Sequence, residues 1–150
     1  MRIALAADHN GVALKARLAD WLAGRGHVVF DAGSQQGDGV VDYPPLCAEV
    51  SRRVAAGEAD LAIVLGGSGQ GEVIACNKIP GIRAGVAYSR FAVEISRGNN
   101  DANVMVLGTK VVSDEEALAL VELWLATPFK GAEHQRRIDQ ISALEARPEA

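Results

Sequence analysis

A chain of 150 residues, of which 49% are hydrophobic and 23% charged, is long enough for one globular domain with a buried core. Its net charge of -4 argues against a nucleic-acid groove or an anionic membrane surface, because both favour a basic protein. The cysteines, Cys47 and Cys76, form no CxxC pair and no metal-ligand pattern with the three histidines. We therefore expect buried free thiols, no metal, no nucleic-acid or membrane partner and a cytoplasmic location.

Short apolar runs alternate with helical patterns along the chain. Each run is too short for a helix and is typical of a parallel strand buried on both faces. These runs are residues 3–7, 27–30, 61–65, 83–87 and 103–107. The helical patterns cover residues 14–22, 46–56, 72–77, 90–97, 113–126 and about 131–146. This alternation predicts an α/β fold, a Rossmann-like three-layer α/β/α architecture around a five-stranded, parallel, doubly wound sheet.

Local signals predict several helix ends and the domain limits. Ser89 is expected to cap the fourth helix, and Ser113 with Glu116 has the pattern of a capping box. The helix after Ser113 is apolar on more than one face, which predicts an oligomer interface. We expect a single domain over residues 1–150, with residues 148–150 as a flexible tail.

The sequence GGSGQG, residues 66–71, follows the third predicted strand and opens a helix. Its glycines let the backbone turn at positive φ and bring N–H groups close to a ligand, which favours an oxyanion or phosphate cradle. Neither common nucleotide motif fits this loop. The dinucleotide-binding fingerprint needs its third glycine at the position of Glu72, and the mononucleotide P-loop needs a lysine there. The loop therefore predicts a site with backbone N–H donors from Gly67, Gly69 and Gly71. Glu72 would add an acid to this site and Ser68 a hydroxyl.

Polar residues also follow other predicted strands. Asp8 and His9 come after the first strand, and Lys110 comes after the fifth. Because ligands of doubly wound sheets bind beyond the carboxyl ends of the strands, we expect these side chains to lie near the glycine loop. Tyr43 lies at the far end of a polar loop over residues 31–42 that can reach over such a site.

Each candidate also has a purely structural explanation. Glu72 could be a first-turn acid that complements the helix dipole, and Asp8 with His9 could cap the first helix. Tyr43 could pack its own loop. A helix stop would explain Asn99 and Asn100, and a solvated helical face would explain the basic cluster of His134, Arg136 and Arg137.

Over nearly its whole length the chain resembles the B-type ribose-5-phosphate isomerases and the related galactose-6-phosphate isomerase subunits. The resemblance rests on ADH at 7–9, DYP at 42–44, GGSG at 66–69, ACNK at 75–78, GIRA at 81–84, NDANV at 100–104 and HQRR at 134–137. It implies a sugar-phosphate isomerase that needs no cofactor and interconverts an aldose and a ketose through an enediolate. It also implies a homodimer, or a dimer of dimers, with active sites shared between two subunits.

The resemblance suggests which group moves the proton. Many members of the family have a cysteine base where this chain has Gly66, so that role cannot be transferred. A subgroup uses a glutamate at the position of Glu72, helped by a serine at the position of Ser68, and this chain matches it. We expect Glu72 to be the base and Asp8 to assist at a substrate hydroxyl. A helix N-terminus would lower the pKa of Glu72 and burial would raise it, so its direction stays open.

The resemblance further implies that Lys110 and Arg137 bind the phosphate. The other substrate-binding candidates are His9, Tyr43, Gly67, Gly69, Gly71, Asn100, His134 and Arg136. Two positions depart from the family, since Asn99 replaces a ring-opening histidine and Glu133 replaces a phosphate-binding arginine. These departures leave open a tetrose phosphate or another sugar that needs no ring opening, an unphosphorylated sugar, or a binding module without turnover.

Overall fold

The computed structural model of the protein describes residues 1–146. Its strands are β1 Arg2–Ala7, β2 Val28–Asp31, β3 Leu61–Gly66, β4 Ala84–Val86 and β5 Val104–Gly108. Its helices are α1 Val12–Gly24, α2 Tyr43–Ala55, α3 Gln70–Cys76, α4 Arg90–Gly98, α5 Asp114–Ala126 and α6 Glu133–Ala143. The predicted order of strands and helices is confirmed, and the expected tail at residues 148–150 lies outside the described part.

The strands form one parallel sheet in the order β2-β1-β3-β5-β4. The chain winds from β1 outward to β2 and then crosses to β3 on the other side, so the winding reverses between β1 and β3. Their carboxyl ends lie side by side, because Ala7 is paired with Leu65, and Gly66 is in turn paired with Gly108 of β5. The doubly wound sheet is thus confirmed, and a ligand is expected at this crevice.

The core consists of two clusters, one on each face of the sheet. Alternate residues of β1 point to opposite faces, so Leu5 joins the cluster under α1 and α5 while Ala6 joins the cluster under α2 and α3. Cys47 and Cys76 are both free and buried in the second cluster, as predicted. The sheet is therefore covered on both faces, which makes the three layers expected from the sequence.

The predicted capping residues act as caps. Ser89 Oγ accepts a hydrogen bond from the Ala92 amide at 3.1 Å, and Ser113 Oγ accepts one from the Glu116 amide at 3.2 Å. The second apolar side of α5 packs within the chain, since its half-buried leucines contact the same core as buried Trp124. An oligomer interface on α5 therefore stays a prediction. None of the helices in residues 1–146 has the length and hydrophobicity that a bilayer span requires.

An ion pair between buried Lys15 and the more accessible Asp31 holds the loop that follows β2. Lys15 of α1 is only 1% exposed and pairs with the carboxylate of Asp31, which also accepts the Gly33 amide at 2.9 Å. Burial opposes ionisation of Asp31, but Lys15 and the Gly33 amide outweigh it and lower its pKa. The Gly33 carbonyl then accepts the Ala7 amide at 2.8 Å. This chain of contacts fixes the end of β1, where Asp8 begins.

Candidate active site

The glycine loop connects β3 to α3 at the crevice. Gly69 adopts a left-handed conformation, with φ of 83°, and its carbonyl accepts the Val73 amide at 3.0 Å as α3 starts. Ser68 Oγ accepts the Gln70 amide at 3.2 Å, so the Ser68 hydroxyl proton remains free to be donated elsewhere. The loop is also attached to the segment after β5, because the Gly67 carbonyl accepts the Lys110 amide at 2.9 Å.

The carboxylate of Glu72 lies folded back over Gly66. A side chain at position 66 would overlap the carboxylate oxygens, so only glycine leaves room for Glu72 in this arrangement. Glu72 is 4% exposed, which makes it one of the few buried acids of the chain. The side chain therefore does not point into solvent, as a simple first-turn acid on a helix would.

The pKa of Glu72 is raised above its usual range. Burial is the main cause, and the negative charge of Asp8 adds to it, while the backbone amide of Glu72 itself partly offsets both. The sequence left open whether the pKa of Glu72 is raised or lowered, and in the structure it is raised. A carboxyl group with a raised pKa can release and take up a proton nearer neutral pH, which is what a general base needs.

Asp8 follows β1 and faces the same crevice. It is 6% exposed, and its own amide donates to the Leu65 carbonyl of β3 at 3.2 Å. Both of its carboxylate oxygens are held by Asn10, through the Asn10 amide to Oδ1 at 2.8 Å and the Asn10 side chain to Oδ2 at 3.4 Å. Asp8 therefore presents a fixed charge close enough to Glu72 to influence its pKa.

His9 and Tyr43 contact the site from two sides. The exposed imidazole of His9 lies 3.4 Å from Asn10 Nδ2 and 3.5 Å from the Val41 amide. A neutral imidazole has one acceptor nitrogen, so only one of these contacts is a hydrogen bond at a time. Tyr43 is half-buried at the start of α2, and its hydroxyl lies directly over Gly71, where a side chain would overlap it.

The sequence did not predict a site role for two residues at the carboxyl ends of the strands, Asn10 and Thr109. Asn10 clamps Asp8 and lies against Gly67, since a side chain at position 67 would come 3.3 Å from Asn10 Nδ2. The Thr109 hydroxyl lies 3.3 Å from the Asn10 carbonyl and 3.2 Å from the Gly66 carbonyl. Their positions next to Asp8 and Lys110 were the available signals, but neither residue type marks a site by itself.

A cavity of about 760 Å³ opens beside these residues. His9, Asn10 and the first turns of α1 form one wall, and the loop over residues 35–40 forms the other. Its size lies within the range of small-molecule sites. Within residues 1–146, no three His, Cys, Asp or Glu side chains are grouped closely enough to hold a metal ion.

The remaining candidates lie at the opposite edge of the sheet. Helix α4 runs back from the carboxyl end of β4, so Asn99 and Asn100 follow it at the amino end of β5. Arg83, which precedes β4, donates from Nε to the Asn100 carbonyl at 3.0 Å and confirms this position. Asn100 is exposed, whereas the Asn99 side-chain oxygen is buried and has no hydrogen-bond partner among residues 1–146.

Helix α6 lies at that same amino edge. The Lys130 amide before it donates to the Gly98 carbonyl at 2.9 Å, and Glu145 after it accepts the Gly81 amide at 2.9 Å. The basic residues predicted to bind substrate are all on this helix, namely His134, Arg136 and Arg137. Glu133 is the first residue of the same helix, and its carboxyl is exposed. Its pKa is lowered, first by the backbone amide of Glu133 itself and then by the neighbouring basic side chains.

One chain thus carries two separate groups of candidates. The carboxyl-edge group consists of Asp8, His9, Tyr43, Gly67, Ser68, Gly69, Gly71, Glu72 and Lys110. The amino-edge group consists of Asn99, Asn100, His134, Arg136 and Arg137. A five-residue strand is about 15 Å long, so the sheet itself keeps the two groups apart. The structure brings together the residues of each group but does not join the groups within one chain.

An open parallel sheet with a glycine loop and two fixed carboxylates at its crevice defines an α/β protein that binds a small polar molecule. The family model described as Ribose/Galactose Isomerase matches residues 3–141, and the chain belongs to this family.

Individual relatives match over nearly their whole length. Ribose-5-phosphate isomerase B of Mycobacterium tuberculosis is 41% identical, with 100% of this chain and 93% of the relative covered. The Escherichia coli protein of the same name is 39% identical, with 97% of each covered. Among solved structures, the Clostridium thermocellum enzyme has a TM-score of 0.93 at 42% identity, covering 97% of each chain. The Mycoplasma genitalium enzyme with bound ribulose-5-phosphate has a TM-score of 0.91 at 34% identity, covering 96% of this chain and 95% of that one.

Proposed function

We propose that the protein is an aldose–ketose isomerase that interconverts ribose 5-phosphate and ribulose 5-phosphate through an enediolate. The observation that carries this proposal is the buried carboxylate of Glu72, folded over Gly66 beside Asp8 in the crevice of the sheet. The names of the relatives and the ribulose-5-phosphate in one of them support the same substrate.

In this proposal Glu72 is the base. Its ionised carboxylate takes the proton from C2 of the aldose, and the electron pair of that C–H bond forms the enediolate double bond while the C1 carbonyl becomes an oxyanion. The same carboxyl then returns the proton to C1, and the oxygen on C2 becomes the ketose carbonyl after it loses its proton. Asp8, held at both oxygens by Asn10, accepts that hydroxyl proton and passes it to the oxygen on C1, which becomes the C1 hydroxyl of the ketose, so both carboxylates are ionised again at the end of the cycle.

The glycine loop stabilises the negative oxygen. Backbone N–H groups of Gly67, Gly69 and Gly71 approach the substrate without side chains in between, and fixed donors act strongly on a charge that develops in a buried crevice. The Ser68 hydroxyl adds a further donor, because its oxygen already accepts the Gln70 amide. His9 and Tyr43 contact the sugar hydroxyls from the two sides of the crevice.

Phosphate binding requires a second copy of the chain. Lys110 extends from the carboxyl edge, but Arg137 belongs to the amino edge, as do the other partner-supplied candidates, Asn99, Asn100, His134 and Arg136. Because the sheet separates the two groups in one chain, we propose a homodimer, alone or paired into a tetramer, in which each site takes one edge from each subunit. The ionised Glu133 offsets part of the positive charge near Arg137.

The relatives favour the pentose phosphate over the tetrose phosphate, the unphosphorylated sugar and the binding module that Asn99 and Glu133 left open. We place the enzyme in the cytoplasm, in keeping with its free thiols at Cys47 and Cys76.

The test is turnover of ribose 5-phosphate in D2O, followed by NMR. We expect ribulose 5-phosphate to form and deuterium to enter at the carbon that receives the proton. Glu72→Gln should lower kcat by about 10²–10⁴-fold, the usual loss when a general base is removed. The matched control is Glu116→Gln, a first-turn acid of α5 that is exposed, and it should keep full activity. Full turnover by Glu72→Gln, or faster turnover of erythrose 4-phosphate by the parent protein, would contradict the proposal.

A further inference from the structure

We infer that Asn10 is a positioning residue of this active site, which fixes the Asp8 carboxylate at both oxygens. The inference rests on the proposed function, because it concerns how Asp8 is presented to the substrate and to Glu72. Asn10 lies two residues after Asp8, at the start of the segment that leads into α1.

The contacts of Asn10 form a clamp. Its backbone amide donates to Asp8 Oδ1 at 2.8 Å, and its side-chain Nδ2 donates to Asp8 Oδ2 at 3.4 Å. The two bonds reach different oxygens of one carboxylate, so rotation of the Asp8 side chain would break at least one of them. Asn10 therefore fixes both the position and the orientation of the carboxylate.

Asn10 is itself held by the two neighbouring loops. Its side chain lies against the backbone of Gly67, where an added side chain would come within 3.3 Å of Nδ2. Its carbonyl lies 3.3 Å from the hydroxyl of Thr109, which also lies 3.2 Å from the Gly66 carbonyl. Asn10 thus lies between the ends of β1, β3 and β5, in contact with Thr109 and next to the glycine loop.

The clamp matters because two buried carboxylates lie near each other. Asp8 raises the pKa of Glu72 through its negative charge, so a change in the position of Asp8 changes the base as well. A donor on each oxygen of Asp8 holds its charge at a fixed distance from Glu72. Since Asn10 acts through Asp8, its loss should appear mainly in kcat and less in KM.

Two variants of Asn10 separate positioning from simple packing. Asn10→Ala removes the side-chain donor and should lower kcat about ten-fold, the loss typical of one hydrogen bond to a charged group. Asn10→Asp keeps the shape but replaces the donor by a negative oxygen, and should lower kcat about 100-fold at pH 8. At lower pH the new carboxyl takes up a proton and donates again, so its activity relative to the parent should rise toward pH 5.5. The ratio for Asn10→Ala should change less over this range, because alanine adds no titratable group.

The titratable groups near Asp8 and Asn10 are His9, Cys47, Glu72 and Lys110, and all of them are present in all three proteins. Because the pKa of Glu72 responds to any shift of Asp8, the pH profile of Asn10→Ala is the reference for that effect. The matched control is Asp20→Ala, which removes an exposed polar side chain of the same size from α1, outside the cavity, and should leave kcat unchanged.

Equal losses in Asn10→Ala and Asp20→Ala, or the same pH ratio for Asn10→Asp as for Asn10→Ala, would overturn the inference. If Asn10→Asp fails to fold, the kcat of Asn10→Ala against the Asp20→Ala control decides. Turnover of ribose 5-phosphate by the parent protein is measured in the same assay and tests the proposed function separately.

Discussion

At the scale of single residues, Gly66 and Glu72 depend on each other. The carboxylate of Glu72 fills the volume that any side chain at position 66 would occupy, although the two residues lie six positions apart in the sequence. Gly66 is at the end of a fully buried strand, so its surroundings cannot expand into solvent. An acid at position 72 can therefore fold back over position 66, as Glu72 does here, only if position 66 is glycine.

Gly66→Ala tests this dependence. The added methyl group should displace the Glu72 carboxylate, destabilise the fold by about 1–3 kcal/mol as overpacking does, and reduce kcat as strongly as Glu72→Gln. In the double variant Gly66→Ala with Glu72→Ala, the overlap is gone and most of the lost stability should return. Denaturant unfolding of the single and double variants measures the coupling between the sites. Additive effects on the free energy of unfolding would show that the two residues do not share this space.

At this scale the sequence predicted the residue types of the site but not their contacts. The glycine loop was recognisable because it combines glycines, an acid and a hydroxyl after a buried strand. The raised pKa of Glu72 was not predictable, because burial and the helix terminus act in opposite directions and only coordinates show which is larger. The role of Asn10 was hidden because an asparagine after a strand is an ordinary turn residue.

At the scale of elements, the strands followed the sequence more closely than the helix ends did. Buried parallel strands are continuous apolar runs, so their limits are clear in the sequence. Helix α2 begins at Tyr43, earlier than predicted, because prolines fit the first turn of a helix. Helix α6 begins only at Glu133, since Gly131 and Ala132 both have positive φ, at 67° and 53°. Such local conformations depend on tertiary contacts that no periodicity reveals.

The end of β5 packs closely against the backbone of the glycine loop. A side chain at Gly108 would come 2.6 Å from the Ser68 carbonyl oxygen, a backbone atom that cannot turn away as a side chain can. Gly108→Ala should therefore push the loop outward, cost about 1–3 kcal/mol of stability and lower kcat. The control is Gly24→Ala at the end of α1, where nothing lies within 4 Å, and alanine there should be neutral or slightly stabilising. Thermal unfolding and turnover compare the two variants, and equal behaviour would contradict this explanation.

At the scale of the whole molecule, the main feature is the separation of the candidate residues between two edges of one sheet. The residues at the carboxyl edge can hold and deprotonate a sugar, but most of the basic residues lie at the amino edge. A second cavity, of about 520 Å³, lies at that amino edge beside Arg83 and Asn100. Two copies that face each other with opposite edges would form two complete sites related by a two-fold axis.

Mixing two defective subunits tests this arrangement. Glu72→Gln disables the carboxyl edge and Arg137→Ala the amino edge, so each homodimer should be nearly inactive. In a mixed dimer, the site formed by the carboxyl edge of the Arg137→Ala chain and the amino edge of the Glu72→Gln chain is intact. Random pairing of equal amounts makes half of all dimers mixed, and each mixed dimer has one intact site out of two. Co-refolded subunits should therefore recover about one quarter of the parent activity. The control pairs Glu72→Gln with Asp8→Asn, two changes at the same edge, and should recover nothing. A site divided between subunits predicts recovered activity in the test mixture and none in the control mixture. Recovered activity in the control, or no recovered activity in the test mixture, would exclude such a site.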